Sequence, residues 1–402
     1  MSKLPKLYKL DTKNKVREWQ IFYQDNFYYA IKGVKGGKMV KDKPTYCVAK
    51  NVGRSNETTP EEQAMLEANA KWDKKIKQGY VRDVQDLHIQ QFYKPMLAKL
   101  YENEKAKVKY PVYLQTKLDG CRLIAMKEGI FSRTGERMTS MPHIERQLKS
   151  FFLMFPEAIL DGEVYNHDYR DNLNRIVSIY RKQKPERRER DTDNSFAKKE
   201  ASFAEALEES ERVLEYHIYD LPHLGKPNPD SGWDIMEINE STNFVLRMDM
   251  LKQFLNPDLH KNIKIVPTYR VDDEDNLEHL YEEFINVGYE GAIVRLDASY
   301  ENKRSSNLLK KKDFIDDEFT IIDVLEGQGN KSGIAATLTC VTNKKPSKEF
   351  DCNLRGDFKF CEELLKNKKD YIGKKATVKF LKYSEYNIPI GNPVALAIGD
   401  EK

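Results

Sequence analysis

The string Gln115-Thr116-Lys117-Leu118-Asp119-Gly120-Cys121-Arg122 places a lysine at the end of an apolar run, beside an acid, a glycine and an arginine. Lysine is a poor nucleophile at neutral pH: with an ordinary pKa near 10.4, about one in a thousand is neutral at pH 7.4, a handicap of ~4 kcal/mol. Nearby cations reduce that handicap, and Arg122 is a local candidate. Gly120 lets the backbone turn sharply or approach a ligand closely. Alone, the string also describes an ordinary surface turn. It has company. Ser132-Arg133-Thr134-Gly135 follows, and Leu160-Asp161-Gly162-Glu163-Val164-Tyr165 ends an apolar run on acids. Tyr216-His217-Ile218-Tyr219-Asp220 offers an aromatic face, and Tyr289-Glu290-Gly291-Ala292-Ile293-Val294-Arg295 sets a second acid before a strand. In Leu308-Leu309-Lys310-Lys311-Lys312-Asp313-Phe314, Lys310 and Lys312 face the same side if the run is a strand. Paired lysines, arginines and glutamates with an aromatic ring suit a metal-bound nucleoside triphosphate.

Three segments must position these groups. Residues 1–85 begin with strand-like runs at Lys6–Leu10, Val16–Phe22 and Phe27–Ile31, separated by turns at Asp11–Asn14 and Asp25–Asn26. A helix start follows: Thr59 caps, Pro60 suits the first turn and Glu62 completes a capping box. Met65, Ala68, Trp72 and Ile76 form one apolar stripe for packing on the sheet, and Gly79 supplies the stop. Residues 86–314 alternate strands with helices. Val112–Leu114, Leu123–Met126, Ala158–Leu160, His217–Tyr219 and Gly291–Leu296 read as strands, and the charged stretch Arg181–Arg212, with Lys184-Pro185-Glu186-Arg187-Arg188, as a surface excursion. Residues 315–402 carry strand-like runs at Phe319–Val324, Thr337–Thr342 and Ala376–Leu381 and a helix at Phe358–Leu365, which predicts a small barrel.

In order and spacing the strings resemble the covalent nucleotidyltransferases, a group of ATP-dependent DNA ligases, RNA ligases and mRNA capping enzymes. The DNA ligase branch is the nearest: Lys94-Pro95-Met96-Leu97-Ala98 looks like the run opening its adenylation domain. Asn172-Leu173-Asn174-Arg175-Ile176-Val177-Ser178 with Arg181-Lys182, and Lys303-Arg304-Ser305-Ser306-Asn307, are similar too. The resemblance spans roughly residues 90–400. It implies a multidomain α+β protein: an ATP-grasp-like adenylation (nucleotidyltransferase) domain at 86–314 and a C-terminal OB-fold barrel at 315–402, preceded by a small α/β module at 1–85. It further implies that Lys117 attacks the α-phosphate of ATP to give lysyl-AMP and pyrophosphate, that AMP passes to the 5′-phosphate of a nick, and that the 3′-hydroxyl displaces it. Lys310 and Lys312 would neutralise the phosphate and activate Lys117. Glu163 and Glu290 would hold Mg²⁺ or Mn²⁺, Tyr219 would stack on adenine, Gln115 and Thr116 would read the adenine edge, and Arg122 and Arg133 would bind phosphate or ribose. Asp119 and Asp220 are open to structural as well as catalytic roles. The implied substrate is nicked double-stranded DNA, in repair, replication or recombination, sealed by a monomer. The alternative is an RNA ligase or capping enzyme using the same lysine. One motif departs: family members end the barrel domain with an arginine-rich string, whereas Pro389–Lys402 holds no arginine, and Asp400 and Lys402 are either its remnant or a frayed polar tail.

Bulk properties agree with an intracellular partner of polyanions. Residues 1–80 hold 17 Lys/Arg against 9 Asp/Glu, a net +8 in a chain whose total is +3, so the remainder carries −5. A basic module joined to an acidic body suits nucleic acid. The module is similar to the WGR domains of DNA-damage proteins through Trp19, Lys35-Gly36-Gly37 and Gly79-Tyr80, and a basic spacer is the plainer alternative. No apolar run is long enough to span a bilayer, and Met1-Ser2-Lys3-Leu4-Pro5 has no apolar signal region, which points away from secretion. The five cysteines form no CxxC pair, so neither a disulfide framework nor a structural zinc site is expected.

Overall fold

Thr59 opens the helix Pro60–Lys77 by accepting from the Glu62 amide at 3.2 Å, while the Glu62 carboxylate accepts from the Thr59 amide at 2.8 Å. This capping box satisfies amides that a helix start otherwise leaves unpaired. Gly79, at φ +81°, follows the helix end, where a side chain would strain the backbone. The buried face differs from the expected stripe. Ala64, Ala68 and Trp72 are buried and Ile76 partly so, but Met65 is 40% exposed. Adjacent helical positions lie about 100° apart, so Ala64 and Met65 cannot both face the sheet. The two alanines let the helix lie against Leu7, Trp19, Ile21 and Tyr28.

The structure, a computed structural model, describes every residue except 12, 55, 89–91, 188–191, 232–236, 385 and 400–402. Arg188, Asp400 and Lys402 therefore lie outside the described residues. Residues 1–90 together with 313–402 form one compact unit, and residues 91–312 another.

In the first unit, Val16–Gln24 and Phe27–Val34 pair antiparallel from Arg17–Val34 to Gln24–Phe27. Around them Ser2–Lys3, Leu7–Leu10, Met39–Lys41 and Thr45–Tyr46 complete a six-stranded sheet. Farther along the chain, Ile315–Glu326, Ala335–Val341, Glu349–Leu354, Val394–Ile398 and Lys375–Phe380 close, in that order, into a barrel. Phe319, Ile321, Leu338, Val378 and Phe380 fill its interior, and the helix Phe358–Lys366 adds Cys361 and Leu364 to the buried set.

The second unit has two five-stranded sheets. One runs Gly129–Ser132, Cys121–Met126, Ile159–Tyr165, Glu215–His223, Ile263–Ile265. The other runs Tyr269–Val271, Val112–Lys117, Gly291–Arg295, Arg304–Lys311, Leu97–Leu100. Register in the second sheet puts Gln115, Ile293 and Lys310 in one cross-strand row. Since side chains alternate between faces, Lys117, Gly291 and Arg295 share the face of that row. Lys311 takes the opposite face, buried against Tyr281 with its ammonium 3.0 Å from Glu278. The main core, from Leu123 and Leu148 to Tyr216, Ile218 and Leu251, lies where Pro142–Met154, Leu173–Tyr180 and Phe244–Phe254 cover the first sheet. The charged excursion holds an N-capped helix, Asp193–Val213, that buries only Ala206, Ser210 and Val213. Among the described residues no helix is long and apolar enough to cross a membrane, and the cysteines are free thiols.

Candidate active site

Lys117 sits at the last position of its strand, opposite Gly291, where the sheet ends and the side chain can leave it. Its ammonium makes a short contact with the Glu290 carboxylate. The other oxygen of Glu290 accepts from Lys312 at 3.2 Å. Burial tends to raise the Glu290 carboxyl, but the two lysines outweigh it and hold it below the usual carboxylate range. Gly120 explains why this turn tolerates no side chain. A β-carbon there would lie 2.2 Å from the Val164 carbonyl oxygen and 2.9 Å from Glu163 Cγ. The lysine-bearing turn is thus pressed against the strand that carries Glu163.

A cavity of about 220 Å³ opens beside Lys117. Gln115, Thr116, Lys117, Arg122, Arg133, Glu163, Tyr219 and Lys310 line it, so eight of the ten expected site residues meet there. Glu290 and Lys312 join them through Lys117. The set comes from both sheets: Glu163 and Tyr219 from one, Lys117 and Lys310 from the other.

The cations differ in their commitments. Arg122 is tied to the fully buried Asp161, with Nε donating at 2.5 Å, and Asp161 also accepts from Tyr300 at 2.6 Å. Arg133 and Lys310 make no ion pair among the described residues. Burial, followed by the charges of Lys312, Lys117 and Arg304, pushes the Lys310 ammonium down. Two uncompensated cations in a cavity mark where an anion gains most. Glu163 is the converse case. Burial pushes its carboxyl up to about 7, with Asp161 and Glu290 adding and Arg122 and Lys117 opposing.

Below the cavity floor lies a buried polar network. Gln115 is 1% exposed and both ends of its amide are occupied: Nε2 donates to the Tyr219 carbonyl at 3.1 Å and to Thr268 Oγ1 at 3.0 Å, while Oε1 accepts from Arg295 at 2.6 Å. Arg295 also donates to Asp220 at 2.6 Å, and Arg247 donates to the same carboxylate at 2.8 and 3.1 Å. The Tyr219 ring has the guanidinium carbons of Arg122 and Arg295 at 5.0 and 5.3 Å from its centre. Sequence reasoning did not assign Arg295, Thr268, Arg247, Asp161 or Tyr300 to the site. Arg295 had a readable signal, since it stands two residues after Ile293 and so shares that strand face. Thr268, Arg247 and Tyr300 come from distant segments with no motif to mark them.

Among the described residues no cluster of three or more His, Cys, Asp or Glu is arranged to hold a metal alone. Mg²⁺ does not require one, because it commonly takes one or two carboxylates and completes its shell with water and substrate phosphate. Glu163 fits that part: it is a buried carboxyl with no cation in direct contact, and a bound cation would relieve its desolvation.

Solved structures share this fold. One, entitled "DNA binding with a minimal scaffold: Structure-function analysis of Lig E DNA ligases", superposes with a TM-score of 0.56 at 18% identity, covering 76% of this chain and 99% of that one. Another, "Pmar-Lig_Pre.", reaches 0.60 at 20% identity over 83% of this chain and 72% of that one. The adenylation-domain and OB-barrel architecture expected from the sequence is therefore the one present. A DNA ligase of African swine fever virus is 28% identical over 315 residues, 74% of this chain. This chain matches 64% of that relative's length. The model of the ATP dependent DNA ligase domain matches residues 95–312, and the chain belongs to that family.

Proposed function

We propose that the protein is an ATP-dependent DNA ligase that seals nicks in duplex DNA through a lysyl-AMP intermediate on Lys117. The observation that carries this reading is the pairing of Lys117 with Glu290 at the mouth of a cavity holding two uncompensated cations, Lys310 and Arg133. The triphosphate of ATP satisfies those cations. Lys117 Nζ forms a bond to the α-phosphorus, the bond to the leaving pyrophosphate breaks, and the lysine proton passes to solvent or to the adjacent carboxylate. Lys310 and Lys312 stabilise charge developing on the phosphoryl oxygens. Glu163 would hold Mg²⁺ or Mn²⁺, joined by Glu290 once the triphosphate draws Lys117 and Lys312 away from it, and the metal would supply charge neutralisation for the triphosphate. Tyr219 bears on the adenine ring. Gln115, whose amide is engaged at both ends, and Arg122, tied to Asp161, support it by fixing Tyr219 and the cavity wall, and Thr116 lines the same cavity.

AMP then moves to the 5′-phosphate of a nick, and the 3′-hydroxyl displaces it to form the phosphodiester. A second, more open cavity of about 630 Å³ shares Arg122, Arg133 and Glu163 with the first and adds the exposed Arg181, a fitting place for the phosphate end. We read residues 1–85, 86–314 and 315–402 as a WGR-like DNA-holding module, the adenylation domain and the OB-fold domain, acting as an intracellular monomer in DNA repair, replication or recombination. The test is incubation with labelled ATP or GTP, a denaturing gel, and sealing assays on nicked DNA and RNA. Wild type should retain AMP and seal nicked DNA, whereas Lys117→Ala should retain none yet partly seal a pre-adenylated nick. Labelling of Lys117→Ala would refute the carrier assignment. GTP preference or RNA-only sealing would move the protein to the capping or RNA ligase branch.

A further inference from the structure

Within the unit formed by residues 1–90 and 313–402 there is a cavity of about 370 Å³ that the reaction above does not use. This is within the ~300–1,000 Å³ of small-ligand sites. One wall is the last turns of the helix Pro60–Lys77, carrying Lys71, Lys74 and Lys75. Another is the strand residue Lys32. Lys43 and the barrel loop at Gln328–Asn330 close it, joined where the Lys43 amide donates to Asn330 Oδ1 at 3.1 Å and Asn330 Nδ2 donates to Asp42 at 3.0 Å.

Five lysines line this cavity against one acid, Asp42, whose carboxylate is taken by Lys32 at 2.9 Å. Lys71, Lys74 and Lys75 have no carboxylate partner among the described residues. Their cationic heads rest partly on aromatic rings: Lys71 lies 5.1 Å from the Tyr28 ring centre and Lys75 5.7 Å from that of Trp19. Lysines near a helix C-terminus are ordinarily explained by the helix dipole. That explanation covers an exposed lysine on the helix itself. It does not cover Lys32 and Lys43, which reach the same cavity from a strand and a loop. Nor does it cover Lys75, whose ammonium is pushed down by burial and then by the charges of Lys32 and Lys9. The cavity is built for an anion.

We propose that this cavity binds neighbouring phosphoryl groups of the DNA strand and is the principal grip of the N-terminal module. The inference rests on the reading of residues 1–85 as DNA-holding. Lys71 and Lys74 both line the cavity and stand three residues apart on the helix, a rise of about 4.5 Å, so their long side chains can meet neighbouring phosphates of one strand together.

The test uses the full chain. Lys71→Gln/Lys74→Gln removes two charges at exposed positions of the helix, where glutamine has nearly the same helix propensity. Lys13→Gln/Lys15→Gln, also exposed in the same module, is the charge-matched control. Anisotropy titrations of a labelled, unnicked duplex at several salt concentrations give the slope of log K against log salt. Each phosphate contact contributes about 0.9, so the cavity pair should flatten the slope by about 1.8 and the control should leave it. Lysyl-AMP formation should match wild type in both. Equal flattening by both pairs would show bulk charge alone and overturn the proposal, as would no change in either. Calorimetric titration with inorganic pyrophosphate distinguishes the sources: binding lost in the cavity pair with an unchanged duplex slope would assign the cavity to free phosphate and overturn the strand reading. Loss of lysyl-AMP in wild type would instead count against the ligase reading, so the two failures are separable.

Discussion

Asp220 is the counter-charge for two buried guanidiniums, and replacing it by asparagine should unbalance the floor of the active site. Its side chain is 0% exposed, and those of Arg247 and Arg295 are 1% and 3% exposed. Burial tends to raise the Asp220 carboxyl, but the two arginines hold it below the usual range. Asp220→Asn keeps the shape and leaves both cations in a dry site. Breaking a buried pair in this way costs about 3–5 kcal/mol. For a unit the size of residues 91–312, each kcal/mol lowers Tm by roughly 2–4 °C, so the drop should be roughly 6–20 °C. Arg295→Met leaves the Asp220–Arg247 pair standing and should cost less, about 1.5–3 kcal/mol for the charged hydrogen bonds lost. The double variant gives the sharper result. With Asp220 already neutral, removing Arg295 removes an uncompensated cation, so the double variant should melt above Asp220→Asn alone. Scanning calorimetry of the full-length protein near neutral pH measures all three. A double variant melting below Asp220→Asn by the full Arg295→Met decrement would show that the network is not held by charge balance.

Two further outcomes follow from single contacts. Gly120→Ala drives a β-carbon to 2.2 Å from the Val164 carbonyl and should shift the Lys117 turn at a cost of about 1–3 kcal/mol; the rate of lysyl-AMP formation should fall tenfold or more, and a wild-type rate would count against close packing of this turn. In metal-free buffer, Glu163 has a carboxyl raised from 4.5 to about 7, so its contribution to stability is full below pH 4.5 and is lost as pH rises through about 7. Glu163→Gln should therefore gain on wild type between pH 5 and 8, by up to roughly 3 kcal/mol in denaturant titrations, and parallel pH profiles would refute the burial argument.

Local chemistry carried much of what the chain alone could specify. The Thr59–Glu62 cap, the strand-ending Lys117 and the alternation that puts Lys310 and Lys312 on one side and Lys311 on the other depend on residues a few positions apart. Backbone geometry relates such residues directly. The order of the motifs along the chain did the rest, because side chains that must meet one triphosphate leave a spaced pattern in sequence. Which polar groups remain free was not legible. Arg122 and Arg133 look alike in sequence, yet Asp161 takes the first and nothing described takes the second. Gln115 looks like a ligand-facing amide until Thr268 and Arg295 occupy both its ends. The helix face was misplaced by one residue for a related reason, since periodicity allows Met65 and only close packing on Trp19 and Tyr28 prefers Ala64. The N-terminal cavity combines a helix, a strand and a barrel loop some 250 residues away in sequence. Sequence sets the types and periods of side chains. The partners that satisfy or strand each charge are chosen by long-range packing, because the cost of burying a polar group depends on what folding brings beside it.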